Sequence, residues 1–224
     1  MTEELQFKKG PGLTAEQAEA LFKAKVETAV QTALTKGAAL APEAGGPQVA
    51  GQSWWNLFAT SPWQPGATDV PPGPIGTGPA LPHKIIQVGQ LAYVEAVIYL
   101  NPFLSLGGSL TPANILSNLA LPYEVNFYTS DLINMVPSTP TATITGNFVP
   151  NIVWYPVFLP FTPTTPGVFM MTITARIHNA LNQPVAPFAA FATEIWDWDS
   201  NLFSFAPTGP RWLIDSPIRY MVYA

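Results

Sequence analysis

Proline occurs 25 times in this chain of 224 residues, about twice ordinary usage, and it narrows the possible folds more than any other feature. Its ring fixes φ and removes a backbone donor, so it stops helices and is excluded from central strand positions. A chain punctuated in this way builds short strands, edge strands and extended loops. Apolar residues still make up 48%, enough for a sizeable core. The aromatic and aliphatic content argues against disorder over most of the length.

Composition divides the chain into residues 1–37, 38–83 and 84–224. The first zone is a polar tail followed by an amphipathic helix over residues 14–36. Thr14 can cap it, with Gln17 at capping-box spacing and Leu13 placed to staple against Ala18. Ala18, Leu21, Phe22, Val26, Ala29, Val30, Ala33 and Leu34 recur at helical period. Gly37 is positioned to end the helix after Lys36. The opposite face mixes Glu16, Glu19, Lys23, Glu27 and Gln31, whereas a membrane-surface helix carries a basic face. The expected docking face is Leu21, Phe22, Val26 and Val30.

Residues 38–83 have linker composition, with Gly45, Gly46, Pro71, Pro72 and Pro74. They also hold Trp54, Trp55, Leu57, Phe58 and Trp63, and a spacer has no use for three tryptophans. This zone is expected to be an extended Pro/Gly-rich arm anchored by Trp54, Trp55, Phe58 and Trp63. The anchor fills a pocket either on its own β-domain or on a neighbour's.

From residue 84 onward the chain is strand-like. Residues 91–100 alternate, with Ala92, Val94, Ala96, Ile98 and Leu100 on the apolar side. Residues 123–129, 141–148 and 152–161 are further candidates. Residues 167–178 alternate most clearly, with Phe169, Met171, Ile173, Ala175 and Ile177 on one face. Residues 188–198 read as the hairpin partner across a loop at Asn182, Gln183 and Pro184, and 218–223 as a terminal strand. The long loop 101–121 has room for one helical turn near Pro112. Strands separated by Pro/Gly/Asn turns argue for an all-β, antiparallel sandwich, Ig-like or jelly-roll. The segment Pro166-Gly167-Val168-Phe169 resembles the entry to a late strand of immunoglobulin-like domains. The tyrosine of a tyrosine corner is not found there, nor is a cysteine pair.

Little in the sequence points to catalysis. There is no cysteine, which removes disulfides, thiolate metal sites and a cysteine nucleophile. His83 and His178 stand without a carboxylate and hydroxyl in sequence context. No zinc-protease, P-loop or nucleophile-elbow pattern is present. Glu194, Trp196, Asp197, Trp198, Asp199 and Asp215 form the one acidic cluster. Asp197 and Asp199 are the candidate metal ligands, for calcium, and the tryptophans beside them resemble a glycan-stacking surface. The expectation is a protein that is not an enzyme and has no cofactor.

The formal net charge is −5, and Lys8 and Lys9 are the one basic pair. No nucleic-acid partner is therefore expected. No run approaches the ~18 apolar residues of a spanning helix. The amino terminus lacks the apolar core of a signal peptide. An extracellular or cell-surface location would then need an export route other than a cleaved leader.

Charge is scarce: Asp, Glu, Lys and Arg make up 10% of the chain against about 25% ordinarily. From residue 101 to residue 190 only Glu124, Asp131 and Arg176 carry a full charge. Sheet faces and edges this neutral are unprotected against pairing. Burial by sister molecules accounts for it. The expected function is a self-assembling structural subunit of a homopolymer (filament, tube, sheath or shell), with the N-terminal arm linking copies. The alternative is a carbohydrate- or calcium-binding β-sandwich module.

Overall fold

A computed structural model describes residues 14–40, 54–64, 84–179, 181, 184–195, 198, 200–203, 214–215 and 217–224. In chain order the elements are α1 (Ala15–Leu40), β1 (Trp55–Thr60), β2 (Ile85–Gln87), β3 (Ala92–Leu100), α2 (Pro112–Asn118), β4 (Pro122–Asp131) and β5 (Val136–Asn147). These are followed by β6 (Trp154–Phe161), β7 (Gly167–His178), β8 (Pro184–Phe191), β9 (Thr193–Ile195), a 3₁₀ turn (Ser200–Phe203), β10 (Ile214–Asp215) and β11 (Ile218–Tyr223).

The strands form two sheets. Sheet one has the order β10-β9-β1-β3-β6; sheet two has the order β2-β11-β7-β4-β5, with β8 beside β7. Within this order, β1-β3-β6 and β5-β4-β7-β8 follow the A-B-E and C′-C-F-G strands of an immunoglobulin-type sandwich. The sandwich is not wholly antiparallel, contrary to the sequence expectation. β1 runs parallel to β9 and β2 parallel to β11, because segments distant in sequence are brought together at these seams.

β7 supplies the clearest link between pattern and packing. Phe169, Met171, Ile173, Ala175 and Ile177 all point into the inter-sheet core, where Val94, Ala96, Ile98, Val125, Phe127 and Tyr220 meet them. The period-2 alternation of its sequence is the one-sided burial of a strand with an open outer face. β3 differs. Every one of its positions is buried, because sheet one is covered on both sides. Its even residues face the inter-sheet core, while Val97 and Tyr99 face α1.

α1 begins as its sequence indicates. Gln17 N–H donates to Thr14 Oγ1 at 3.3 Å and Thr14 N–H donates to Gln17 Oε1 at 3.0 Å, a reciprocal capping box. Its end differs: the helix continues through Gly37 to Leu40. A single internal glycine costs a helix only about 1 kcal/mol, and Ala38, Ala39 and Leu40 are strong helix formers.

Two further corrections concern strands. The segment 188–198 is not one strand. β8 pairs with β7 in sheet two. After Ala192, whose N–H donates to Ile173 O at 2.8 Å, the chain crosses to sheet one as β9. Residues 55–60, assigned by composition to an arm outside the sandwich, form β1 within it, between β3 and β9.

Candidate interaction surfaces

Seven of the residues expected to hold other subunits pack within this one. Phe22, Val26 and Val30 of α1 lie with Phe58 of β1 in a single apolar layer over sheet one, together with Val97, Tyr99, Ile195, Trp198 and Phe203. Ring contacts knit the layer: Phe22 to Trp198 at 5.4 Å and Tyr99 to Phe203 at 4.9 Å between centroids. Trp55 is buried in the inter-sheet core, with Trp54 partly buried against it. Trp63 packs on Tyr93 at 5.0 Å and its backbone bridges to the same residue in both directions. Leu21 alone points outward, 45% exposed. In this single chain Trp54, Trp55, Phe58 and Trp63 lie against the chain's own β-domain.

The acidic cluster separates in space. Glu194, 1% exposed, receives Lys84 Nζ at 2.8 Å. Lys84 precedes β2 in sheet two and Glu194 lies on β9 in sheet one, so the pair ties the two sheets together at one margin. Trp198 turns its indole N–H onto Glu95 Oε2 at 2.8 Å. Asp197 and Asp199 lie outside the described residues, as do His83, Leu13 and the glycines and prolines singled out in the arm. Among the described residues no three metal-ligating side chains gather.

Glu95 is a residue that pattern analysis passed over. One acid in a nine-residue strand of otherwise apolar and aromatic residues is itself a signal, since a buried carboxylate must be hydrogen-bonded or paired. Tyr155 is another. Its hydroxyl accepts from Val149 N–H at 2.9 Å and lies 2.9 Å from Ile152 O and 3.1 Å from Val149 O. It clamps the connection that crosses from β5 in sheet two to β6 in sheet one. Burial pushes its phenol up to about 12, against a partial lowering by the Val149 hydrogen bond.

The two sheet faces are unlike. Sheet one is covered by α1 and the 3₁₀ turn. The outer face of sheet two exposes side chains instead. Met221 is paired with both Ile85 and Val168, and all three are exposed. Tyr128, Phe191 and Tyr223 are exposed as well. Across this face runs a polar strip. Arg176 Nη1 reaches Glu124 Oε1 at 3.4 Å and His178 Nε2 lies 3.6 Å from Glu124 Oε2. Asn126 Nδ2 donates to Glu124 Oε1 at 3.1 Å, and Thr143 Oγ1 donates to Asn126 Oδ1 at 2.7 Å. The Thr143 hydroxyl is thus engaged by Asn126.

Both ends of the sandwich are also apolar at the surface. The β4–β5 turn presents Ile133, Met135 and Val136, with Met135 79% exposed. At the opposite end Leu110, Leu119, Val149 and Ile152 are exposed. Asp131 holds the turn from within, accepting from Ile133 N–H at 2.7 Å, Asn134 N–H at 3.1 Å and Asn134 Nδ2 at 2.7 Å. The Asn134 side chain and then its backbone amide hold the Asp131 carboxyl below the usual range.

No protein-family model and no curated protein sequence matches the chain. Among solved structures it is similar to a β-glucosidase from Listeria innocua in complex with gluconolactone, at 10% identity and TM-score 0.36, over 76% of this chain and 16% of that one. It is also similar to the CARDB domain of a Pyrococcus furiosus protein in complex with di-metal ions, at 15% identity and TM-score 0.29, over 64% of this chain and 90% of that one. The chain therefore spans about a sixth of the glucosidase's length. Scores this low carry no argument about function, and the sandwich rests on its own strand pairing. Among the described residues no helix is long and apolar enough to cross a membrane.

Proposed function

We propose that this chain is a non-catalytic structural subunit that associates with copies of itself into a homopolymer. One observation carries the proposal: the outer face of sheet two and both ends of the sandwich expose large apolar side chains, and charge there is sparse, with only Glu124, Asp131 and Arg176 between residues 101 and 190 and Arg219 added on β11. Exposed apolar area of this kind marks protein contact surfaces, and a soluble monomer ordinarily disperses itself with charge. α1 and the tryptophans serve the stability of the single subunit. The contacts between copies use the uncovered sheet and the two ends.

The test is the mass of the full chain by light scattering across a dilution series, with negative-stain imaging. Concentration-dependent ordered assemblies are expected. A particle that stays at 24.2 kDa at every concentration overturns the proposal. Calcium or a glycan that raises the melting temperature of such a monomer would establish a binding module in its place.

A further inference from the structure

We infer that the carboxy-terminal half of β5, from Thr141 to Asn147, is the seam at which a second copy of this chain adds its own β5 in antiparallel. The inference rests on the self-association proposed above and names the strand that carries it.

β5 is the last strand of sheet two and pairs only with β4 among the described residues. Natural sheets guard such an edge with proline, charge, a bulge or a covering element. The first half of β5 has these guards: Pro137 and Pro140 lie there, and the register with β4 shifts between Phe127 and Thr129. From residue 141 to residue 147 there is neither proline nor charge. Thr141, Thr143, Thr145 and Asn147 are exposed and alternate with half-buried Ala142, Ile144 and Gly146. An open row of backbone donors and acceptors accepts one kind of partner, an extended strand.

The neutrality of the edge identifies whose strand it is. Two-fold antiparallel pairing sets a strand against itself, so any charge would be repeated opposite or near its own kind. This segment has none to repel. Centred on Thr143, the pairing places Thr141 opposite Thr145 of the second copy and Ala142 opposite Ile144, a small side chain against a large one. Threonine pairs across strands are favourable. Registers that keep threonine opposite threonine also keep both apolar sets on the core side, whereas a one-residue slip does not. A foreign peptide would find no charge here to select it.

Because the chain has no cysteine, single Thr141→Cys, Thr143→Cys and Thr145→Cys variants report the seam directly. Directly paired Cα atoms lie about 4.5–5.5 Å apart, within disulfide reach. Under mild oxidation of the full chain, a disulfide-linked dimer is expected only from the variant whose cysteine lies on the two-fold axis, Thr143→Cys in the register above, because the other two positions stand about four residues from their own copies. Thr145→Lys, which leaves the Thr143–Asn126 hydrogen bond in place, is expected to raise the dissociation constant at least tenfold with an unchanged circular dichroism spectrum. Thr143→Lys is a second variant with the same expectation. Assembly that persists in both lysine variants, with no cross-link from any cysteine, overturns the seam and leaves self-association standing. A wild-type chain that is monomeric at all concentrations overturns both.

Discussion

Trp198 donates its indole N–H to Glu95 Oε2 at 2.8 Å, and both side chains are buried, Glu95 to 4% exposure. The bond joins the segment after β9 to the middle of β3, under α1. Trp198→Phe keeps most of the apolar volume but takes a donor from a buried carboxylate, which costs about 2 kcal/mol. Glu95→Gln in the same background is expected to recover part of the loss, because a neutral amide is cheaper to bury than a carboxylate. Urea denaturation of the four proteins in the cycle checks this. Additive effects would show that the pair does not interact.

The placement of α1 makes a second prediction. Phe22 lies within the layer formed by Trp198, Phe58 and Phe203. Phe22→Ala should lower the stability of the subunit by about 3–5 kcal/mol, and by the same amount at high and low protein concentration. A helix that docks on a neighbour would instead give a loss that shrinks on dilution, as the assembly that the contact stabilises comes apart.

Tyr123 lies across Gly146, its partner on β5. A Cβ at position 146 would stand 2.5 Å from Tyr123 Oη and 2.6 Å from Cζ. Gly146→Ala must displace the ring from Phe148 and Tyr155, its neighbours at 5.0 and 5.7 Å. The expected cost is about 1–3 kcal/mol. Adding Tyr123→Ala should remove most of the further penalty of Gly146→Ala, as thermal unfolding of the double variant would show.

Asp131 and Tyr155 set opposite pH limits. The folded carboxyl of Asp131 is lowered by the Asn134 side chain and the amides of Asn134 and Ile133. Its contribution is therefore present above the ordinary carboxylate value, about 4, and is lost as pH falls through the lowered value. Asp131→Asn should flatten the acid limb of a plot of melting temperature against pH. An acid limb of unchanged slope in that variant would contradict the assignment.

The phenol of Tyr155 is raised by burial to about 12. Its contribution is intact below the unfolded value near 10 and declines as pH rises from there through about 12. Tyr155→Phe should lower stability at neutral pH by about 1–2 kcal/mol and reduce the alkaline limb. Proteolysis at residues 149–152 is expected to quicken in the same variant, since the hydroxyl holds that crossing.

Much of this architecture is legible in the sequence, and the parts that are not share one cause. β7 and β11 alternate in sequence because each has one buried and one open face, and a period of two survives only under one-sided burial. Thr14 and Gln17 mark the start of α1 because capping is settled within three residues. β1 is invisible by the same logic. Trp55, Leu57 and Ala59 face the inter-sheet core while Phe58 faces α1, so a strand covered on both sides reads as a plain apolar run, here set among prolines. That Trp55 and Phe58 lie within a sheet at all depends on β1 standing between β3 and β9. That Glu95 meets Trp198, Lys84 meets Glu194 and Tyr155 closes a crossing depends on chain segments far apart. Local sequence determined the strands with one open face, such as β7 and β11, and the cap of the helix. Only tertiary pairing decided which faces are spent inside the molecule and which remain open, because that depends on what the rest of the chain brings to each face.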